Sequence, residues 1–175
     1  MEAFVYGLLA FAHLVGVVLA VPSVLFRALA LRRFDVDPNA LKAALMADNV
    51  WGIAALILLP TGLYRLLVLG KGWSFYANNP YLVVKLGLFG LLFMLELWPM
   101  FLLLWQRVVE RKGQNIVTSR RARLISRISL LQTALLIGVL FCAPMMARGV
   151  GQRADAWRVR TDGAVMATMA SPFAP

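Results

Sequence analysis

The sequence predicts an all-α protein, an integral membrane four-helix bundle, and three observations carry that prediction. Hydrophobic residues make up 61% of the 175-residue chain, and the mean hydropathy is +0.77. A soluble domain of this size has no use for so much apolar surface. Apolar runs, each of about the 20 residues a helix needs to cross hydrocarbon, recur along the chain at 4–26, 49–69, 81–105 and 128–146. Most of the basic residues behind the net charge of +10 sit between those runs rather than inside them, where lipid headgroups and the insertion machinery favour them. That distribution points to the lipid bilayer as partner, with anionic headgroups at the basic loops, and no nucleic acid.

The first span, 4–26, follows Met1-Glu2 with no basic segment and is longer than the apolar core of a signal peptide, so it is expected to be retained. It holds the only histidine, His13, near mid-depth. Ala12, Gly16 and Ala20 form a small-residue stripe suited to close helix contact. His13, Gly16 and Ala20 share one face, which turns the histidine toward the bundle. Residues 27–48 read as a loop carrying Arg27, Arg32, Arg33 and Lys42 against Asp35, Asp37 and Asp48, with a turn at Asp35–Asn39 and a short interfacial helix after it.

The second span, 49–69, opens at Asp48, where a carboxylate suits a helix N-terminus. Pro60 is expected to kink it, and Arg65 follows about one turn later. The loop 70–80 brings Trp73, Phe75 and Tyr76, with Tyr81 just after it, to an interfacial belt. In the third span, 81–105, Lys85 and Glu96 lie eleven residues apart, nearly on one face and separated by about 16 Å; Pro99 allows a bend. A second basic loop, 106–127, holds Arg107, Arg111, Lys112, Arg120, Arg121, Arg123 and Arg127 against Glu110 alone. The fourth span, 128–146, has Ser129, Gln132, Thr133 and Cys142 as its polar points. Residues 1–149 thus form one four-span domain, and 150–175 a tail expected to be flexible. The single cysteine excludes an internal disulfide.

Loop charge sets the orientation. The two basic loops hold eleven Lys and Arg, whereas the connection between spans two and three holds only Lys71, with Arg65 beside it. The positive-inside rule then puts both basic loops in the cytoplasm and both termini outside, in a bacterial inner (plasma) membrane. His13, Arg65 and Lys85 fall in the outer half of the bilayer. Asp48, Glu96, Gln132 and the pair Arg123 and Arg127 fall toward the inner half.

Charged groups at such depths are costly and point to function. His13 suits an axial haem ligand, a metal ligand or a proton carrier; it equally suits a hydrogen bond between helices. Arg65 and Lys85, at similar depth, suit an anionic group, or snorkel to headgroups. Glu96 is either neutral or paired with an arginine from the inner loops. No second histidine and no Cys-x-x-Cys accompany His13, so one chain has too few nitrogen and sulfur ligands for a bare metal site.

The order Asp48, Thr61-Gly62-x-x-Arg65, Gly70-Lys71-Gly72, Phe75-Tyr76, Asn79-Pro80 and Lys85, with His13 in the first span and Ala147-Arg148-Gly149 after the last, resembles the small bacterial membrane proteins of domain-of-unknown-function family 2214, up to about Gly151. That family implies no activity. The layout of four spans, a first-span histidine and a lysine early in the third is also similar to HemJ-type protoporphyrinogen oxidases and the CopD copper-resistance group. This likeness implies His13 as the metal ligand to a haem b, Lys85 as a catalytic residue, and Arg65 or Lys85 on a porphyrin propionate. With one histidine the iron is five-coordinate, or takes an unusual second ligand, or shares one from another subunit in a homo-oligomer. Two other classes stand beside a redox or porphyrin-binding protein: a small carrier or metal-handling protein dependent on Glu96 and Asp48, and an accessory subunit held by the Ala12, Gly16 and Ala20 stripe.

Overall fold

The computed structural model describes residues 2–68 and 80–147. They form four helices: α1 (Glu2–Arg32), α2 (Ala40–Leu67), α3 (Pro80–Glu110) and α4 (Ser119–Ala147). All four are long and apolar enough to cross a membrane. At 1.5 Å per residue, α1 and α3, each of 31 residues, extend about 46 Å, well beyond a hydrocarbon core of about 30 Å.

That excess length corrects the expected boundaries. Hydropathy marks the part of a helix that needs lipid, but backbone hydrogen bonding carries the helix on through the headgroup zone. The helix α1 continues past Phe26 to Arg32, so Arg27 is a helical residue and not a loop residue. The expected interfacial helix after Asn39 is the first part of α2, and Asp48 lies two turns inside that helix instead of opening it. Likewise α4 begins at Ser119, taking Arg120, Arg121, Arg123 and Arg127 out of the loop. Each helix runs through its proline, Pro22, Pro60, Pro99 or Pro144. The expected aromatic belt at Trp73, Phe75 and Tyr76, and the tail 150–175, lie outside the described residues.

The helix α1 packs against α2 and α4, and α4 also packs against α3, while α2 and α3 meet over only a short stretch. Gly16 explains the α1–α2 contact: a Cβ there would sit 2.8 Å from Leu58 Cγ and 3.2 Å from Ile57 Cγ2. Gly16 and Ala20 of the small-residue stripe are therefore buried inside the chain. One apolar cluster lies near the basic end, around Leu31, Ala44, Leu103 and Ile125. A second, around Ala20, Val24, Trp51, Ala54, Leu92 and Leu136, lies at mid-depth. Toward the N-terminus of α1, Phe4, Leu8, Phe11 and Leu14 are exposed, as lipid contact allows.

The two basic connections are fixed locally. After α3, Gly113 (φ 72°) takes the left-handed conformation while its N–H and that of Gln114 bond back to the Glu110 and Val109 carbonyls, a Schellman stop. Gln106 Oε1 accepts from the Ile116 N–H at 2.9 Å, pinning the connection onto α3. After α1, Asp37 Oδ1 accepts from the Asn39 N–H at 2.8 Å, a local turn that leads into α2.

Candidate functional site

Polar side chains collect in two tiers. The inner tier, toward the basic loops, is centred on Arg27, which is fully buried. A guanidinium has five N–H donors in a planar fork, and here each finds an acceptor. Nε donates to Ser129 Oγ (3.0 Å), Nη1 to Asp48 Oδ1 (2.8 Å) and Glu96 Oε1 (2.7 Å), and Nη2 to Glu96 Oε2 (2.7 Å) and Gln132 Oε1 (2.9 Å). Gln132 Nε2 donates to Glu96 Oε2 at 2.6 Å. On the other side of Asp48, Arg107 Nη2 donates to Oδ2 (2.7 Å) and to the Leu45 carbonyl (3.0 Å), and Nη1 to Asn49 Oδ1. Arg27 and Arg107 balance Asp48 and Glu96, so the node carries no formal net charge. All four helices contribute to it. It also bridges α2 and α3, which otherwise barely touch.

The outer tier holds His13. Its Nδ1 lies 2.9 Å from Thr61 Oγ1. The Thr61 hydroxyl donates to the Ile57 carbonyl one turn back, at 2.5 Å. A hydroxyl has a single proton, so Thr61 can only accept from the histidine. With the Thr61 proton assigned to Ile57, the ring's proton is assigned to Nδ1, which leaves the Nε2 lone pair for another partner. Gly62 makes room for the ring, since a Cβ there would lie 3.4 Å from His13 Cε1. The charges of Arg65 and Lys85 both act on the His13 ring, and Arg65 acts on Lys85. Among the described residues neither cation is paired with an acid. Cys142 lies close enough to interact with Lys85.

The tiers are well separated. Along α1, His13 and Arg27 are fourteen residues and about 21 Å apart; along α2, Thr61 and Asp48 are thirteen residues and about 20 Å apart. The apolar cluster of Ala20, Ala54, Leu92 and Leu136 fills the space between them.

Sequence reasoning puts His13, Arg65 and Lys85 at similar depth; in the structure both cations lie near enough to act on the ring through charge, with no hydrogen bond among the three. Sequence reasoning also groups Asp48, Glu96 and Gln132 at one depth, as found. Arg123 and Arg127 lie at that end of the bundle but outside the cluster: Arg123 pairs with exposed Asp35 at 2.8 Å, and Arg127 is exposed. Their positions on α4 turn away from the stripe of Ala122, Ile125, Ser129 and Gln132 that faces the bundle. Arg27, read as a loop residue, is the group that sequence reasoning does not single out; Ser129 is read only as a polar point of the fourth span and Thr61 only as part of the family motif. The signal was present: Ala20, Val24, Arg27 and Leu31 continue the apolar stripe of α1 at helical spacing.

A family model described as "Predicted membrane protein (DUF2214)" matches residues 6–151. The chain belongs to the DUF2214 family. No curated protein and no solved structure matches it. The matched segment contains both tiers of this DUF2214 protein and ends a few residues past α4, which makes it a multi-pass membrane protein whose helices contact the lipid bilayer.

Proposed function

We propose that this DUF2214 protein binds an anionic, metal-carrying cofactor of the porphyrin class in its outer tier, with haem b as the first candidate and electron transfer as its use. The observation that carries the reading is the contact of His13 Nδ1 with the Thr61 hydroxyl, 2.9 Å apart. Histidines that bind metals usually donate their second nitrogen to a neighbouring acceptor, which orients the ring. Thr61 supplies that acceptor, and Nε2 is left to coordinate. Among the described residues no cluster of three or more His, Cys, Asp or Glu gathers, so a bare ion would lack ligands. A porphyrin brings four of its own and asks the protein for one or two. Arg65 and Lys85, with no acidic partner among the described residues, suit its carboxylates. A sixth ligand would come from solvent, substrate or a second copy of the chain.

The carrier reading has less support, because Asp48 and Glu96 are already engaged by Arg27 and Arg107. Our reading of orientation follows loop charge: basic end in the cytoplasm and termini outside, in a bacterial inner membrane.

The test is an absorbance spectrum of detergent-purified protein from haem-replete cells, oxidised and reduced, with iron counted. A Soret band lost in His13→Ala, with the variant still monodisperse, is the expected result. A blank wild-type spectrum, or a band that survives the substitution, would overturn the proposal.

A further inference from the structure

A groove on the outside of the bundle, at the basic end, is lined by Trp98, Phe101, Leu102 and Trp105 of α3, by Ile116 of the connection and by Arg121 of α4, and encloses about 490 Å³. We infer that it holds one anionic phospholipid, with the phosphate on Arg121 and an acyl chain along the aromatic wall.

The wall comes first. Trp98, Phe101 and Trp105 follow one another three and four residues apart, so they stand on one face of α3. They are 40%, 65% and 61% exposed, a continuous aromatic face with no partner helix among the described residues. From Trp98 to Trp105 the wall is seven residues, or about 10 Å, which lies within the depth of one leaflet of a hydrocarbon core about 30 Å thick. A chain entering at the loop therefore runs the length of this wall.

The head of the groove is built, not incidental. Arg121 Nη1 donates to the Ile116 carbonyl at 2.7 Å. The Ile116 N–H is itself held by Gln106 Oε1, whose side chain is 1% exposed. The connection is thus tied at one residue to both neighbours, its N–H to α3 through Gln106 and its carbonyl to α4 through Arg121, and Arg121 is held at the mouth with its remaining N–H groups uncommitted among the described residues. No acid lines the groove, and Arg120, Arg111 and Lys112 lie close in sequence, so the local charge favours an anion. A second groove of similar size, between α1 and α2 and lined by Val18, Pro22, Phe26 and Val50, has no charged residue. It can take an acyl chain but cannot select a headgroup. The two grooves differ in Arg121, which is why a charged lipid is assigned to one of them alone.

The full-length protein, reconstituted in phosphatidylcholine vesicles, tests this by indole quenching. A fixed small fraction of brominated phosphatidylglycerol is compared with the same fraction of brominated phosphatidylcholine. One arginine near the surface is worth about fivefold in anionic-lipid occupancy, and that preference is expected in the quenching. Arg121→Gln should remove it and Arg121→Lys should keep most of it. Arg123→Gln, a basic residue outside the groove, should leave it unchanged. Trp105→Phe should lower the quenched fraction, placing the lipid at this wall. Equal quenching by the two lipids in wild type would overturn the inference. So would a preference that survives Arg121→Gln, or one that Arg123→Gln reduces as strongly, which would mean a general basic surface and no site.

Discussion

Removing the arginine at the inner node should unfold this protein more effectively than removing any one of its partners. In Arg27→Gln five hydrogen bonds are lost or weakened, but the two carboxylates fare differently. Asp48 keeps Arg107 at 2.7 Å. Glu96 keeps only the Gln132 amide. The variant thus leaves one buried carboxylate without a cation and takes the node from neutral to a single negative charge. Breaking a buried pair on one side costs about 3–5 kcal/mol. Glu96→Gln is milder, because Arg27 retains Asp48, Ser129 and Gln132, and the loss is about 1.5–3 kcal/mol, the range for a hydrogen bond to a charged group. The double variant Arg27→Gln with Glu96→Gln restores neutrality, so its loss should fall short of the sum of the singles by about 1–3 kcal/mol. Equilibrium unfolding in mixed micelles measures this, with buried Trp51, in the apolar layer beside the node, among the fluorescent reporters. The reasoning fails if Arg27→Gln costs less than about 1 kcal/mol, or if the double variant equals the sum of its parts.

Three further outcomes follow from the geometry. Gly16→Leu places a side chain where Leu58 Cγ is 2.8 Å from the first carbon, and should cost at least about 1–3 kcal/mol in the same unfolding assay, by forcing α1 from α2. Thr61→Val removes the acceptor of the His13 Nδ1 proton while keeping the side-chain shape; a titration with haem should show affinity lowered about 10–100-fold with the protein still folded. Gly113→Ala puts a Cβ on a residue at φ 72° and should cost about 1–2 kcal/mol, read as earlier proteolysis at the α3–α4 connection.

How much of this was legible beforehand depends on what each residue does. The four spans were, because hydrocarbon demands a long apolar run and few other structures do. His13 with Arg65 and Lys85 was, because polar groups in such runs are few and topology fixes their depth. Helix ends were not: Arg27, Asp48 and Arg121 lie where apolar content falls but the helix continues. That error left the inner node half-read: an inner-loop arginine on Glu96 is one of the two sequence alternatives, but Arg27 is not picked out, since a loop arginine is expected to be solvated and a helical one on the buried face is not. The tautomer of His13 was also out of reach. It depends on Thr61 spending its proton on Ile57, a contact set by the register of α1 against α2.

The register itself gives the node a purpose beyond stability. A buried ion network is often no more stabilising than an apolar core of the same volume. If energy alone were at stake, apolar side chains could replace it, as Leu, Val and Ala fill the neighbouring layers. What an apolar core cannot do is fix the sliding and rotation of four smooth helices as five directed bonds from one guanidinium do. The node lies about 20 Å from His13 along α1, and a one-residue slip of α1 on α2 would move Thr61 off the ring. The triple variant Arg27→Met, Glu96→Met and Gln132→Leu removes the network while leaving Asp48 with Arg107. It should keep the fold to within about 1–2 kcal/mol of wild type. The His13 Nδ1 proton, followed by nitrogen-15 NMR of the labelled ring, should nevertheless lose its single hydrogen-bonded state and exchange between several. A triple variant with one sharp, wild-type ring signal would mean that the outer tier is held in register by Gly16 and Gly62 alone, and that the node serves stability only.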